Sequence, residues 1–298
     1  MKVFLSFTLF LALALVLGGL LAYPIHLMTD LPMEKLVTKV SKLIAILSIV
    51  PFLALFHLNN KRAAGLHLAK PAFLREYLIG LGFGILTLAV LSGMLLGLDI
   101  RVLDPEYEFT VFNLLKAVLL GLLIGTLVAC IEEIFFRGVM LTGIRRSTSA
   151  IAAVGLTALL YAGVHFIKSK GVELQTEPGL FSGLDILGQI AGRILRYANL
   201  DSFLALCSVG LFLALMRLKQ GNIAQCIGLH AGWVMIIKTT KDLTNSNPTS
   251  ELSFLVGTYD GIIGWLAFVY LCFLCTLYAL WMLKSRPAEA HLTDHTTR

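Results

Sequence analysis

Eight apolar runs constrain this chain more than anything else in it: 3–22, 40–58, 75–98, 111–143, 148–167, 202–217, 221–239 and 260–283. About 20 apolar residues in helical form span a bilayer core, and lipid offers backbone groups no partners, so each run must bond to itself as a helix. The expected fold is all-α: a polytopic transmembrane helical bundle of about eight spans, forming one membrane domain over residues 1–298. Charged residues make up only 14% of the chain, against roughly 25% in soluble domains. The first run is longer than a signal-peptide core. Cleavage after Ala22 would also put Leu20 where a small side chain is needed, so the run reads as a retained helix. The run at 111–143 exceeds one crossing and must tilt or extend beyond the bilayer.

Charges between the runs alternate. Lys61, Arg62, Lys70 and Arg75 follow the second run, Arg145 and Arg146 the fourth, and Arg217 and Lys219 the sixth, whereas Asp104, Glu106 and Glu108 lie in an intervening loop. Basic loops face the cytoplasm, which places both termini there. The net charge of +6 is thus accounted for by membrane orientation, and nucleic acid is not an expected partner. Residues 168–200 form a long non-cytoplasmic loop, in which Leu184, Leu187, Ile190, Ile194 and Leu195 recur at helical spacing beside Arg193 and Arg196. That pattern fits a helix in the membrane interface, or equally a surface helix packed on the bundle. The polar stretch 285–298 is expected to be a disordered cytoplasmic tail. All five cysteines fall in apolar runs, and the Cys272/Cys275 pair has neither a second metal-binding pair nor a redox-fold context.

Against this background the stretch ACIEEIFFRGVM, residues 129–140, is anomalous. An ionisable residue at mid-membrane costs about 2.5–3.5 kcal/mol on insertion scales, and such residues usually face a polar cavity or one another. The candidates are Glu132, Glu133 and Arg137 on the fourth run, His165 on the fifth and His230 on the seventh. Glu133 and Arg137 are four apart with the glutamate first, the favourable order for a helical ion pair. Glu132 points about 100° away from Glu133, which leaves Glu132 to face a cavity.

Depth brings the remaining groups together. Glu132 is thirteen residues from Arg145, His165 seventeen from Thr148 and His230 ten from Gln220. At ~1.5 Å per residue these depths are about 20, 25 and 15 Å, so three helices can aim a carboxylate and two imidazoles at one cavity. Such a cluster suits a general base and an activated water, hence hydrolysis. The competing readings are histidines that only hydrogen-bond a neighbouring helix and a proton-coupled transporter. The latter would be expected to show internal repeats and interrupted helices, and the sequence has no convincing ones.

EEIFFR (132–137) with Gly138, YAGVH ending at His165, and IGLHAGWV with His230 together resemble the CPBP family of intramembrane proteases. This family is also called the CAAX protease, bacteriocin-processing or Abi family, and it includes the prenyl-protein endopeptidases that trim CAAX termini. The resemblance covers residues 110–240, the expected catalytic core. It implies that Glu132 and His165 activate the hydrolytic water, that Glu133 and Arg137 support them, and that His230 binds the water or stabilises the oxyanion. Family members have been described both as metalloproteases and as metal-independent glutamate proteases. No cofactor is expected here; a zinc ion, if bound, would take Glu132, His165 and His230 as ligands. The implied partners are the lipid bilayer and a membrane-associated protein or peptide substrate, and the implied setting is a bacterial inner (plasma) membrane. Two positions depart from the family pattern. Tyr161 stands where phenylalanine is usual, and Val234 replaces the asparagine of H-x-x-x-N, with Asn222 too far away to substitute. Val234 keeps open the alternative of an inactive member serving as a membrane scaffold or immunity factor.

Overall fold

The computed structural model describes residues 2–56, 60–168, 172, 174, 177–194, 200–257 and 259–285. The chain runs α1 (Lys2–His26), α2 (Met33–Leu55), α3 (Lys70–Gly97), β1 (Arg101–Leu103) and α4 (Val111–Glu133). A π-helical segment, Ile134–Met140, joins α4 to α5 (Leu141–Arg145). Then follow α6 (Ala150–His165), α7 (Ser182–Ile194), α8 (Leu200–Gln220), α9 (Ala224–Leu243), β2 (Thr244–Ser246), a 3-10 turn (Ser253–Leu255) and α10 (Trp265–Lys284). Each of the eight apolar runs is thus helical, with α4, the π segment and α5 forming one long element. Among the described residues five helices are long and apolar enough to cross a membrane: α1, α3, the α4–α5 element, α8 and α10; α6 is a shorter apolar helix. The chain is a multi-pass helical membrane protein.

Packing follows the rule of a lipid solvent, in which small residues turn inward and large ones outward. On α4 the buried residues are Ala117, Gly121, Gly125, Ala129 and Glu133, a stripe repeating every four, while Leu115, Leu119, Leu123 and Leu127 are exposed. The stripe of small side chains leads directly to the buried carboxylate.

Helix α9, which carries His230, is held between α3 and α4 by glycine contacts. A Cβ on Gly80 or Gly84 of α3 would run into the backbone of Gln225 or Leu229, and one on Gly228 or Gly232 of α9 would run into that of Tyr77 or Leu81. On the other side a Cβ on Gly125 would meet the Ala231 carbonyl at 2.6 Å, and one on Gly121 the Met235 carbonyl at 3.1 Å. These close approaches set how deeply His230 sits beside α4. Trp233 locks the same crossing, its indole N–H donating to Thr87 Oγ1 of α3 at 2.9 Å.

Helix α7 of the 168–200 segment is packed on the bundle. It packs on α1 and α2, with Ile186 and Ile190 buried in a cluster with Ala22, Met33, Leu36 and Val37. Gly183 is pressed against Gly19, and Asp185 and Gln189 face outward. Leu195 and Arg196 of that pattern lie outside the described residues, as do the side chains of Arg193 and Ile194 and residues 286–298 of the tail.

The two short strands depart from a purely helical expectation. They pair antiparallel, Arg101 opposite Ser246 and Leu103 opposite Thr244. Arg101 is buried there, its Nε donating to Thr244 Oγ1 at 2.6 Å and its Nη1 to Ser246 Oγ at 3.2 Å and the Gly261 carbonyl at 3.1 Å. The clamp ties the loop before α4 to the loop before α10. The cysteines are all free thiols; Cys272 and Cys275 pack against Ser208 of α8.

Candidate active site

Glu132 and Glu133 sit in the last turn of α4, and their splay sends them to different partners. Glu133 Oε1 accepts from Arg137 Nη1 at 3.0 Å, the expected four-residue pair, and both side chains are essentially fully buried. Arg137 lies in the π segment, a widening of the helix that recurs at functional sites. Its Nη2 donates to the Gly210 carbonyl of α8 at 3.4 Å, and its guanidinium stacks on the Tyr161 ring at 4.4 Å. Close approach shapes this segment as well: a Cβ on Gly138 would meet the Ala64 carbonyl at 2.7 Å.

The pair is not closed, as helix geometry alone had left it. Glu133 Oε1 also accepts from His230 Nδ1 at 2.8 Å, so one buried carboxylate oxygen joins Arg137 and His230. No signal in the sequence marks this bond, because it depends on how α9 crosses α4.

Glu132 turns toward the two histidines. Its Oε2 lies 3.7 Å from His165 Nε2 and 3.9 Å from His230 Nε2. His165 is the last residue of α6, and its Nδ1 bonds the Tyr161 carbonyl one turn back at 2.7 Å. The rings of Tyr161 and His165 are 4.4 Å apart. Glu132 and His165 are 26% and 20% exposed, whereas Glu133 is sealed. All five residues singled out in the sequence are therefore assembled, with Tyr161 as a shelf beneath them. Of the other two positions noted there, Val234 packs by Gly125, and Asn222 caps α9, accepting from the Ala224 N–H at 3.0 Å.

The tautomers follow from the partners. A carbonyl only accepts, so His165 carries its proton on Nδ1, and the Glu133 carboxylate requires the same of His230. In the neutral form of each ring its Nε2 atom is then an acceptor, and Glu132 Oε2 is buried with no hydrogen-bond partner among the described residues. With neutral rings, three acceptors would meet at this point. Such a point suits a group that offers protons or positive charge, a water or a divalent cation. Two Nε2 atoms and a carboxylate are donors that zinc takes in catalytic sites, so the residues fit such an ion chemically. Among the described residues no group of three or more His, Cys, Asp or Glu side chains already stands at metal-holding geometry.

Neither the curated proteins nor the solved structures contain a match to this chain. A protein-family comparison does match it: residues 114–236 fit the family described as type II CAAX prenyl endopeptidase Rce1-like. That segment runs from α4 into α9 and carries every residue of the cluster, so the domain that assembles Glu132, His165 and His230 belongs to the CAAX protease (CPBP) family of intramembrane proteases.

Proposed function

We propose that this protein is an intramembrane endopeptidase that hydrolyses a peptide bond of a membrane-associated protein or peptide, with Glu132 and His165 activating the water. The observation that carries this reading is the convergence of Glu132 Oε2 on two imidazole Nε2 atoms, at 3.7 and 3.9 Å. That spacing suits one water hydrogen-bonded between carboxylate and ring. Glu132 takes the water proton as its oxygen attacks the scissile carbonyl carbon. The proton then passes to the leaving nitrogen as the C–N bond breaks. His165 orients the water, and the bond to the Tyr161 carbonyl fixes its tautomer. His230 Nε2 accepts from the same water, and Glu133 stabilises the ring whenever it gains a proton. Arg137 holds the Glu133 carboxylate in place.

Should a zinc ion be bound, Glu132, His165 and His230 would hold it, and it would lower the pKa of a bound water and polarise the carbonyl. The basic loops favour cytoplasmic termini; the protein and its substrate would share one bilayer.

The test uses purified protein in lipid nanodiscs with quenched fluorogenic membrane-anchored peptides, prenylated and unmodified, with and without a chelator. Cleavage that is lost in Glu132→Gln and survives chelation supports the glutamate mechanism, and loss on chelation assigns the chemistry to a metal. Native protein that cleaves none of the peptides would leave the scaffold role in place of the protease.

A further inference from the structure

A guanidinium shut inside a protein keeps its charge, since arginine does not lose its proton there. Taken out of water it demands an anion or a set of acceptors, and without them it is strongly destabilising. Arg137 meets that demand with Glu133, Gly210 and the Tyr161 ring. Arg101 meets it with Thr244, Ser246 and Gly261. Arg217, three residues from the end of α8, does not. It is only 3% exposed, yet its Nε has no hydrogen-bond partner. Among the described residues no carboxylate pairs with it.

The guanidinium lies against the main chain of the loop between α2 and α3. A Cβ on Gly65 would come within 3.0 Å of its Nε and 3.1 Å of its Cζ and Nη2, and Gly65 itself has a φ of +72°. The loop carbonyls nearby turn to other elements. That of Gly65 accepts from the Ile223 N–H at 3.1 Å, and that of Ala63 from Thr142 Oγ1 at 3.1 Å. Arg146 Nη1 donates to the Phe56 carbonyl at 3.3 Å. These contacts gather the Lys61–Arg62 stretch, the end of α5 and the end of α8 at one face of the bundle. Lys61, Arg62 and Arg146 are exposed there and Arg145 is half-buried. None of the four pairs with a carboxylate among the described residues. Arg217 stands about 4.5 Å inside the end of its helix, the level at which a membrane helix ends and headgroups begin.

We propose that Arg217 anchors a binding site for a phosphate group at this face, filled in the bilayer by the headgroup of an anionic phospholipid. A guanidinium presents paired N–H donors that match two phosphate oxygens, and such charge-assisted bonds are the strong ones. Basic sites between transmembrane helices hold anionic headgroups. The phosphate supplies the counter-ion that the protein itself omits, through hydrogen bonds and charge alone. Lys61, Arg62 and Arg146 draw anionic lipid to the face in general, whereas Arg217 takes the phosphate. The site does not depend on the hydrolase reading.

The test follows thermal unfolding of the full chain in a maltoside detergent with phosphatidylglycerol, diacylglycerol or inorganic phosphate added, beside native mass spectrometry of the bound lipid. Saturating phosphatidylglycerol should raise the native melting temperature by about 5 °C and should stay bound in the mass spectrum. Diacylglycerol, with the same tails and no phosphate, should leave it unchanged. Arg217→Met keeps an apolar stem and drops the charge. Its melting temperature without lipid should equal or exceed the native value, and the rise with phosphatidylglycerol should vanish. Arg62→Met, at an exposed position of the same face, should keep the rise. A rise with the lipid alone assigns the phosphate to a headgroup, and a full rise with inorganic phosphate assigns it to a free anion; both support the site. Equal rises in native protein and Arg217→Met overturn it, as does no rise in any arm. The chain's own stretch 286–298 carries Glu289 and Asp294. If Glu289→Gln with Asp294→Asn lowers the lipid-free melting temperature of the native chain but not of Arg217→Met, the counter-ion is internal and the phosphate site is overturned. Should Arg217→Met fail to fold, Arg217→Lys, which keeps the charge and loses the paired donors, should show a smaller rise, and an undiminished one overturns the site.

Discussion

Glu133 holds His230 through a 2.8 Å bond from imidazole Nδ1 to carboxylate Oε1, inside a fully buried ion pair with Arg137. One oxygen thereby fixes the tautomer of a histidine on α9 and anchors a guanidinium that reaches α8. The two adjacent glutamates consequently differ in kind: Glu133 is fully buried and joins Arg137 to His230, whereas Glu132 is 26% exposed and lies 3.7 and 3.9 Å from the two imidazole Nε2 atoms.

Substitutions at the two glutamates should separate those roles. Glu133→Gln leaves Arg137 charged and buried without its counter-ion, a change that costs about 3–5 kcal/mol. Its melting temperature should drop and its activity with it. Glu132→Gln removes the base, and cleavage should fall by at least about three orders of magnitude. Glutamine keeps the size of the side chain and removes a partly buried charge, so the melting temperature should equal or exceed the native value. Thermal unfolding in nanodiscs beside peptide cleavage distinguishes the two.

Tyr161 contributes through its ring and its main chain. The ring carries Arg137 at 4.4 Å and His165 at 4.4 Å, and the carbonyl takes the His165 proton. Tyr161→Phe preserves all three contacts and should keep activity within about threefold. Tyr161→Ala removes a buried ring, which costs about 3–5 kcal/mol, and should abolish cleavage. A large loss in the phenylalanine variant would show that the hydroxyl matters after all.

The glycine contacts of α9 predict a position-specific effect within one helix. Gly84 faces the Leu229 backbone, whereas nothing lies within 4 Å of a Cβ on Gly82. Gly84→Ala should push α9 away from α3, lowering both the melting temperature and cleavage. Gly82→Ala should be neutral or stabilise by about 0.5–1 kcal/mol, from helix propensity alone. Equal behaviour of the two would contradict the close crossing.

Arg101 anchors the loops before α4 and α10 through Thr244, Ser246 and Gly261. Arg101→Leu strips these charged hydrogen bonds, each contributing about 1.5–3 kcal/mol. The segment 247–261 should become sensitive to limited proteolysis. Proteolytic patterns identical to native would argue against the clamp.

The pH profile has a definite expectation on its alkaline side. Burial and the carboxylates of Asp260 and Glu132 raise the Tyr259 phenol above the ordinary tyrosine value. The charged form is the anion, so a raised pKa keeps the phenol protonated through pH 10. Any alkaline loss of activity below that pH should therefore be the same in the native protein and in Tyr259→Phe, measured as kcat over pH 6–10. A limb present only in the native protein would mean that Tyr259 ionises earlier.

The sequence by itself determined what depends on local period and on the solvent. Lipid demands helices of a set length, so the apolar runs marked α1 to α10 apart from α7. The 100° step between Glu132 and Glu133 and the four-residue spacing to Arg137 sorted the carboxylates, and depth along the helices brought His165 and His230 to the level of Glu132. Tertiary structure decided what depends on how elements cross. The Glu133–His230 bond exists because glycines on α3, α4 and α9 let three backbones meet closely. The docking of Ile186 and Ile190 of α7 on α1 and α2, the antiparallel pairing of Arg101 with Ser246, and the Tyr259 hydroxyl on the His165 carbonyl all join residues far apart in the chain. No period along one helix encodes those contacts, since each arises where two separately specified surfaces happen to fit.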